Sequence, residues 1–305
     1  MLPVTMPLFL DQTTITTAIK QSHIMKSKVK EAQNQGWLRK SNQLDRRTGY
    51  QSNWYIYLGK NSKQPIFSVR PVKPGCRFSR ISFNPQGTDL NLLRKRLKFL
   101  YGADFKEIYY HGSVTRTDTT VDIYGYPLNN MFFYAKGFLS SKNHGFGDMD
   151  GHHLPASYIS NITTRGVRTG LTIGSKDSDT TINIYDKRLQ KIMTSLKHVD
   201  LDQDWVRIEI RYRRTGLTIP ELHKLPNKFS KIEVYSKHIA REKLNPLFLL
   251  ACQNGCVSDA LQCLERNERD RHKYALEKHR VHWFNADTIW KGLPEALEVL
   301  EFLKP

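Results

Sequence analysis

The chain has 305 residues, and its 47 Lys and Arg against 29 Asp and Glu leave a formal charge of +18. That balance excludes an acidic solvating protein, and 39% hydrophobic with 11% aromatic residues excludes a disordered tail. A chain of this length buries a sizeable core and, at about 100–200 residues per domain, predicts two or three domains.

A positive surplus on this scale needs a polyanion. Nucleic acid leads, because phosphates at high linear density reward many modest Lys and Arg contacts through counterion release. An anionic membrane surface is the rival. No stretch approaches the ~20 apolar residues needed to span a bilayer, and the N-terminus lacks a basic segment followed by an apolar core. The expected location is therefore the cytoplasm, with no membrane partner. Cys76, Cys252, Cys256 and Cys263 fit no paired CxxC zinc pattern. The last three fall in one predicted helix and read as core or surface thiols.

In chain order, the first ~50 residues predict a helix over roughly Thr16–Gln33 and then a polar, Arg-rich loop. Between Lys20 and Arg80 stand fourteen Lys and Arg, among them Arg39, Lys40, Arg46 and Arg47, against only Glu31 and Asp45, a local balance of +12. Trp37, Tyr50, Trp54, Tyr55, Tyr57, Phe67 and Phe78 are interleaved with them; such aromatics either fill a core or stack on unpaired bases. The runs NWYIYLG, PIFSVRPV and RFSRISF, separated by Gly, Pro and Asn, predict antiparallel strands. LNLLRKRLKFLY, residues 90–101, has apolar residues at helical spacing. KNHGFGDMDGHHLPA, residues 142–156, predicts a mobile loop. Beyond Asn245 the pieces PLFLLACQ, VSDALQCL, ADTIWKGL and PEALEVLEFL predict amphipathic helices, with a boundary near residue 240.

The middle third carries the candidate chemistry. In VTRTDTTVDIY, residues 114–124, strict alternation puts Thr117, Thr119, Val121 and Ile123 on one side and Arg116, Asp118, Thr120 and Asp122 on the other. In DWVRIEIRYRR, residues 204–214, Val206, Ile208 and Ile210 oppose Arg207, Glu209, Arg211 and Arg213. In TTINIYDK, residues 180–187, Ile182 and Ile184 face inward while Asn183, Tyr185 and Lys187 project outward. Each strand thus lays a polar face over a buried one. A Glu between arginines is commonly a cross-strand ion-pair partner, and a strand tyrosine commonly packs. Several acids on one sheet face of a basic protein, however, repel one another unless a cation or an arginine stands between them. Oxygen ligands on strands suit Mg²⁺ or Mn²⁺, and a tyrosine beside such an ion and a lysine is a candidate nucleophile toward phosphate.

VTRTDTTVDI, TGLTIGSKDSDTTINIYDKRLQK (169–191) and DWVRIEIRYRR together resemble the replication initiation factor (Rep_trans) family of rolling-circle plasmid and phage initiators. The family pattern runs RxDxxxD, T(I/V)xxGSRxSxxxxRxYxK and WxRxExRxR, and the three segments occur here in that order over residues 106–240. The resemblance implies a DNA nicking and joining enzyme in which Tyr185 forms a 5′-phosphotyrosine intermediate. Asp118, Asp122 and Glu209 would hold the divalent metal, while Lys187 and Lys176 would contact the scissile phosphate. Arg207, Arg211, Arg39, Lys40, Arg46 and Arg47 are the expected DNA contacts. The family commonly has Arg where this chain has Asn183, and Arg where it has Lys176. A replication origin exposed partly as single strand and partly as duplex DNA, a homodimer and a host helicase are the partners the resemblance implies.

The expected fold is α+β: an antiparallel catalytic sheet backed by helices over 106–240, a basic α/β region over 1–105 and a helical region over 241–305. A conjugative relaxase with the same catalytic domain and a non-enzymatic DNA-binding regulator are the alternatives. Histidine-hydrophobe-histidine nucleases are disfavoured because His152/His153 and His279/His282 form no HxH triplet. A tyrosine recombinase is disfavoured because no recognisable box surrounds Tyr274.

Overall fold

The computed structural model describes residues 4–5, 7–18, 22–40, 49–72, 78–136, 141–144, 170–175, 178–194, 203–241, 244–254 and 256–305. The expectations for Arg46, Arg47, Lys176, Cys76, His152 and His153 lie outside them. The first strands are β1 (Val4–Thr5), β2 (Phe9–Thr17), β3 (Leu38–Lys40), β4 (Tyr50–Ile56), β5 (Ile66–Pro71) and β6 (Ser79–Phe83). They are followed by β7 (Ser113–Tyr124), β8 (Met131–Ala135), β9 (Ser141–His144), β10 (Gly170–Ile173), β11 (Thr180–Asp186), β12 (Trp205–Arg213) and β13 (Ile232–Ser236). The helices are α1 (Ser22–Asn34), α2 (Leu90–Tyr101), α3 (Phe105–Tyr110), α4 (Lys187–Thr194) and α5 (Pro246–Asn254). Four more close the chain: α6 (Val257–Gln262), α7 (Arg266–Lys278), α8 (Ala286–Trp290) and α9 (Leu293–Glu298). The α+β class, with an antiparallel sheet backed by helices, is as expected.

The chain forms two compact units, each made of three separate stretches of sequence. One comprises Phe9–Thr119, Tyr212–Pro226 and Leu293–Pro305; the other comprises Met1–Leu8, Thr120–Arg211 and Asn227–Gly292. The 106–240 segment is therefore divided between them, with β7 and β12 contributing residues to both.

In the first unit the strands run β3-β4-β5-β6-β2, antiparallel at each of these ladders, with the start of β7 beyond β2. The predicted strands in Asn53–Phe83 are present. The predicted helix is displaced: residues up to Thr17 are strand β2, and α1 begins at Ser22. The run Thr13-Thr14-Ile15-Thr16-Thr17 explains the change, since β-branched side chains fit a pleated sheet better than a helix, and all five are buried. Helix α2 buries Leu93, Leu97, Leu100 and Tyr101 at helical spacing, each fully buried leucine contributing about 1.5–3 kcal/mol. Asp89 caps its start by accepting the Leu92 N–H at 2.9 Å, and Gly102 at φ 57° ends it. Tyr101 stands edge-on to Phe67 at 6.0 Å and its hydroxyl pairs with Ser79 at 2.9 Å, which fastens α2 to the sheet. Between α3 and β7, a Cβ on Gly112 would lie 2.2 Å from the Ile108 carbonyl oxygen. Only glycine permits this tight entry into the strand.

In the second unit the strands run β12-β11-β10-β9, with the end of β7 on the other side of β12 and β1 paired to β7. A separate two-stranded sheet joins β13 to β8. Its core includes Phe132, Tyr235, Ile239, Phe248, Cys252 and Val257. The outer edge of β8 meets side chains instead of a strand: Ser258 Oγ accepts the Ala135 N–H and donates to the Ala135 carbonyl, both at 3.1 Å, and the Cys256 thiol donates to the Phe133 carbonyl at 2.9 Å. Cys252 lies in α5, Cys256 caps α6 and Cys263 follows it, so the three do not share one helix. Helix α7 falls in the helical region expected over 241–305, although its sequence RNERDRHKYALEK is too polar to show an apolar stripe of its own.

Glu233 is buried on β13 and neutralised from three sides: Lys136 at 2.6 Å, Arg280 at 3.3 Å and the Tyr235 hydroxyl at 2.6 Å. Burial opposes its charge, but Lys136, Tyr235 and Arg280 outweigh burial and hold the carboxyl below its ordinary 4.5. A depressed folded value stabilises the protein above the unfolded value and loses that contribution as pH falls through the acid range. Glu233→Gln is expected to cost about 1–3 kcal/mol at neutral pH. It should also flatten the loss of stability below about pH 4.5, as read by urea unfolding at a series of pH values.

Candidate functional site

The site is assembled on the second unit, where β10, β11 and β12 are neighbours and β7 follows β12. Leu171, Ile173, Ile182, Ile184, Val206, Ile208, Ile210, Val121 and Ile123 are buried on these strands, as alternation predicts. The opposite, polar face is covered too. Asp122 is 5% exposed, Glu209 6%, Arg207 7% and Tyr185 8%.

A covered polar face must satisfy its own groups, and here it does so by hydrogen bonds running from strand to strand. The Thr172 hydroxyl donates to Asn183 Oδ1 at 2.8 Å. Asn183 Nδ2 donates to Glu209 Oε1 at 3.0 Å. Arg211 Nη2 donates to the same oxygen at 2.8 Å. Further along β12, Arg207 grips Asp122 in a two-pronged pair, Nε to Oδ1 at 2.7 Å and Nη2 to Oδ2 at 2.8 Å. Such planar fork-to-carboxylate geometry is the strong form of an ion pair. Asn183, to which no role was assigned from its position, is the link between β10 and Glu209; an amide can both accept from Thr172 and donate to a carboxylate.

Tyr185 is paired through its backbone with Gly170. Lys187, the first residue of α4, has its ammonium 5.6 Å from the Tyr185 ring centroid and donates to Gln190 at 2.6 Å. Asp186, between them, accepts the Leu189 N–H at 2.8 Å and so caps α4. Burial raises its carboxyl above the ordinary value; the Leu189 amide and Arg188 oppose this and Asp204 adds to it. Next to this pair lies a cationic aromatic stack missed in the sequence: Tyr124 stacks on Trp205 at 5.2 Å, and Lys191 stands 4.7 Å from the Trp205 ring centroid. Alternation could have found it, since Tyr124 shares a face with Asp122 and Trp205 with Arg207.

The three expected metal ligands are not brought together. Asp118 belongs to the first unit, where Arg116 binds both its oxygens, through Nε at 2.9 Å and through Nη2. Asp118 and Asp122 are four residues apart on β7, about 13 Å at the usual rise, which is too far for both to ligate one ion at about 2.1 Å. Each carboxylate faces a guanidinium, and no group of three His, Cys, Asp or Glu among the described residues is arranged to hold a metal ion. As a three-carboxylate set these residues do not fit a hard cation. Arg207, expected to contact DNA, has its fork occupied by Asp122; Arg211 reaches toward Glu209 and is partly exposed. Arg39 and Lys40 are exposed at the end of β3, with the Arg39 guanidinium 3.9 Å over the Tyr57 ring.

No protein-family model and no curated protein matches the chain. One similar solved structure is the rolling circle replication initiator protein from Geobacillus stearothermophilus, with 14% sequence identity, covering 90% of this chain and 97% of that one at a TM-score of 0.42. A likeness of this degree transfers neither residues nor activity to this chain. No helix among the described residues is long and apolar enough to cross a membrane.

Breaking a buried ion pair from one side leaves the partner charged and unpaired, whereas replacing both sides with apolar groups is often neutral. Asp122→Ala is therefore expected to cost about 3–5 kcal/mol in chemical denaturation, and Asp122→Leu combined with Arg207→Met is expected to recover most of it.

Proposed function

We propose that this protein is a rolling-circle replication initiator that nicks and rejoins a DNA strand through a phosphotyrosine at Tyr185. The observation that carries the reading is the neighbourhood of Tyr185: a lysine ammonium 5.6 Å from its ring, and on the same sheet face Asn183 bonded to Glu209. A phenol beside a cation is the pairing expected of a nucleophile that must carry negative charge. The +18 net charge supplies the affinity for a phosphate backbone.

In the proposed reaction the Tyr185 hydroxyl releases its proton to water and its oxygen attacks the scissile phosphorus. The new O–P bond leaves the 5′ phosphate on the tyrosine, and the 3′ oxygen departs and takes up a proton. Lys187 offsets charge on the non-bridging oxygens. At 8% exposure Tyr185 must become accessible before a strand can reach it. The strand end so freed primes synthesis, and the closing transfer needs a second nucleophile, which a second copy of the chain would supply. No step is assigned to a divalent cation, because an ion at Asp122 or Glu209 would first have to displace Arg207 or Arg211. A DNA-binding protein without nicking activity is the second reading, and the arginine pairing of all three carboxylates favours it.

Tyr185→Phe is expected to abolish the covalent adduct with a labelled oligonucleotide while leaving duplex affinity within a few fold; an adduct that survives the change would move the nucleophile. Running the same assay in Mn²⁺ and in a chelator settles the metal expectation, since equal cleavage in both removes Mg²⁺ and Mn²⁺ from the mechanism.

A further inference from the structure

The first unit contains a cavity of about 230 Å³ between α1 and the β4-β5 ladder. Its wall is apolar, made by Met25, Val29, Trp54, Val69 and Phe78, while Lys26 and Arg70 are also among its lining residues and are exposed. One further observation marks it as more than a packing defect. Arg70 holds φ at 59°, a left-handed conformation that non-glycine residues seldom keep and that concentrates at functional sites.

We propose that this cavity receives one unpaired nucleobase of single-stranded DNA, with Lys26 and Arg70 on the phosphates that flank it. The volume is below the roughly 300–1,000 Å³ of drug-sized ligand sites, which suits one heteroaromatic ring without its sugar. The half-buried Phe78 ring and the apolar side chains beside it offer surface on which a base can pack. The charge bias selects a polyanion: Lys26 and Arg70 line the cavity with no acid among its lining residues, and the sequence from Lys20 to Arg80 has two acids against fourteen bases. The cavity beside Glu233 has no such bias, since Glu277 and Glu233 offset Lys136 and Lys273 there. The proposal rests on the DNA-binding part of the proposed function and is independent of Tyr185.

The test is equilibrium binding, in chelator, of a thymidine oligonucleotide and of an all-abasic strand of equal length and charge. The full chain is expected to prefer the strand with bases by about tenfold, the scale of one base stacked on an aromatic wall. Ser52 also lines the cavity, so Ser52→Phe fills it. That change should cut the preference to under twofold while leaving the abasic affinity, which reports backbone contacts and folding, unaltered. A preference that persists in Ser52→Phe, or no preference in the unaltered chain, overturns the proposal. Should Ser52→Phe also lose the abasic strand, photocrosslinking of a 5-iodouracil oligonucleotide to the unaltered chain decides: crosslinks at Met25, Trp54 or Phe78 support the cavity, and crosslinks confined elsewhere refute it. Loss of the Tyr185 adduct would leave all of these ratios unchanged, so the two readings fail separately.

Discussion

The sheet of the second unit depends on the grip of Arg207 on Asp122. Two strands are joined there by a charged pair buried on both sides, and the pair is tolerable only because both carboxylate oxygens and two guanidinium nitrogens are matched at 2.7–2.8 Å. Withdrawing ions from water costs several kcal/mol each, so an incomplete match at this point would favour opening of the face. The same rule extends along the strands. Glu209 is matched by Arg211 and Asn183, and Asn183 in turn by Thr172, so the polar layer works as a connected network whose members fix one another's positions.

That network changes what the acidic residues can mean. Period-2 alternation correctly separates Val121, Ile123, Ile208 and Ile210 from Asp122, Arg207 and Glu209, because the pleat leaves no other option. It cannot say whether the polar side meets water, another layer or a ligand. Arg116 and Arg211 lie two residues from the acids they neutralise on their own strands, where alternation already makes them neighbours, whereas the Arg207–Asp122 pair crosses strands and depends on register, which is set by strands distant in sequence. The displaced start of α1 has the same origin: Thr13–Thr17 can satisfy a local helical pattern, but its neighbours across β6 make it a strand. Helix α2 was legible because a cap, an apolar stripe and a terminal glycine all agree within one segment. The polar helix α7 offered none of these and was legible only as part of a helical C-terminal region.

The basic segment and the candidate nucleophile belong to different compact units, with Arg39, Lys40 and the cavity at Trp54 in one and Tyr185 in the other. The functional reading assigns binding to one unit and chemistry to the other. Because β7 and β12 contribute to both, neither unit corresponds to one continuous stretch of sequence.

The closing of β8 by Ser258 and Cys256 has a consequence beyond packing. A strand margin with open amide and carbonyl groups invites another chain to add itself there. In this molecule the guard is held by two small side chains more than a hundred residues downstream, and it is in place only after the C-terminal helices have docked. During synthesis, or after modification of the Cys256 thiol, that margin would stand unguarded, making self-association the characteristic failure of this unit.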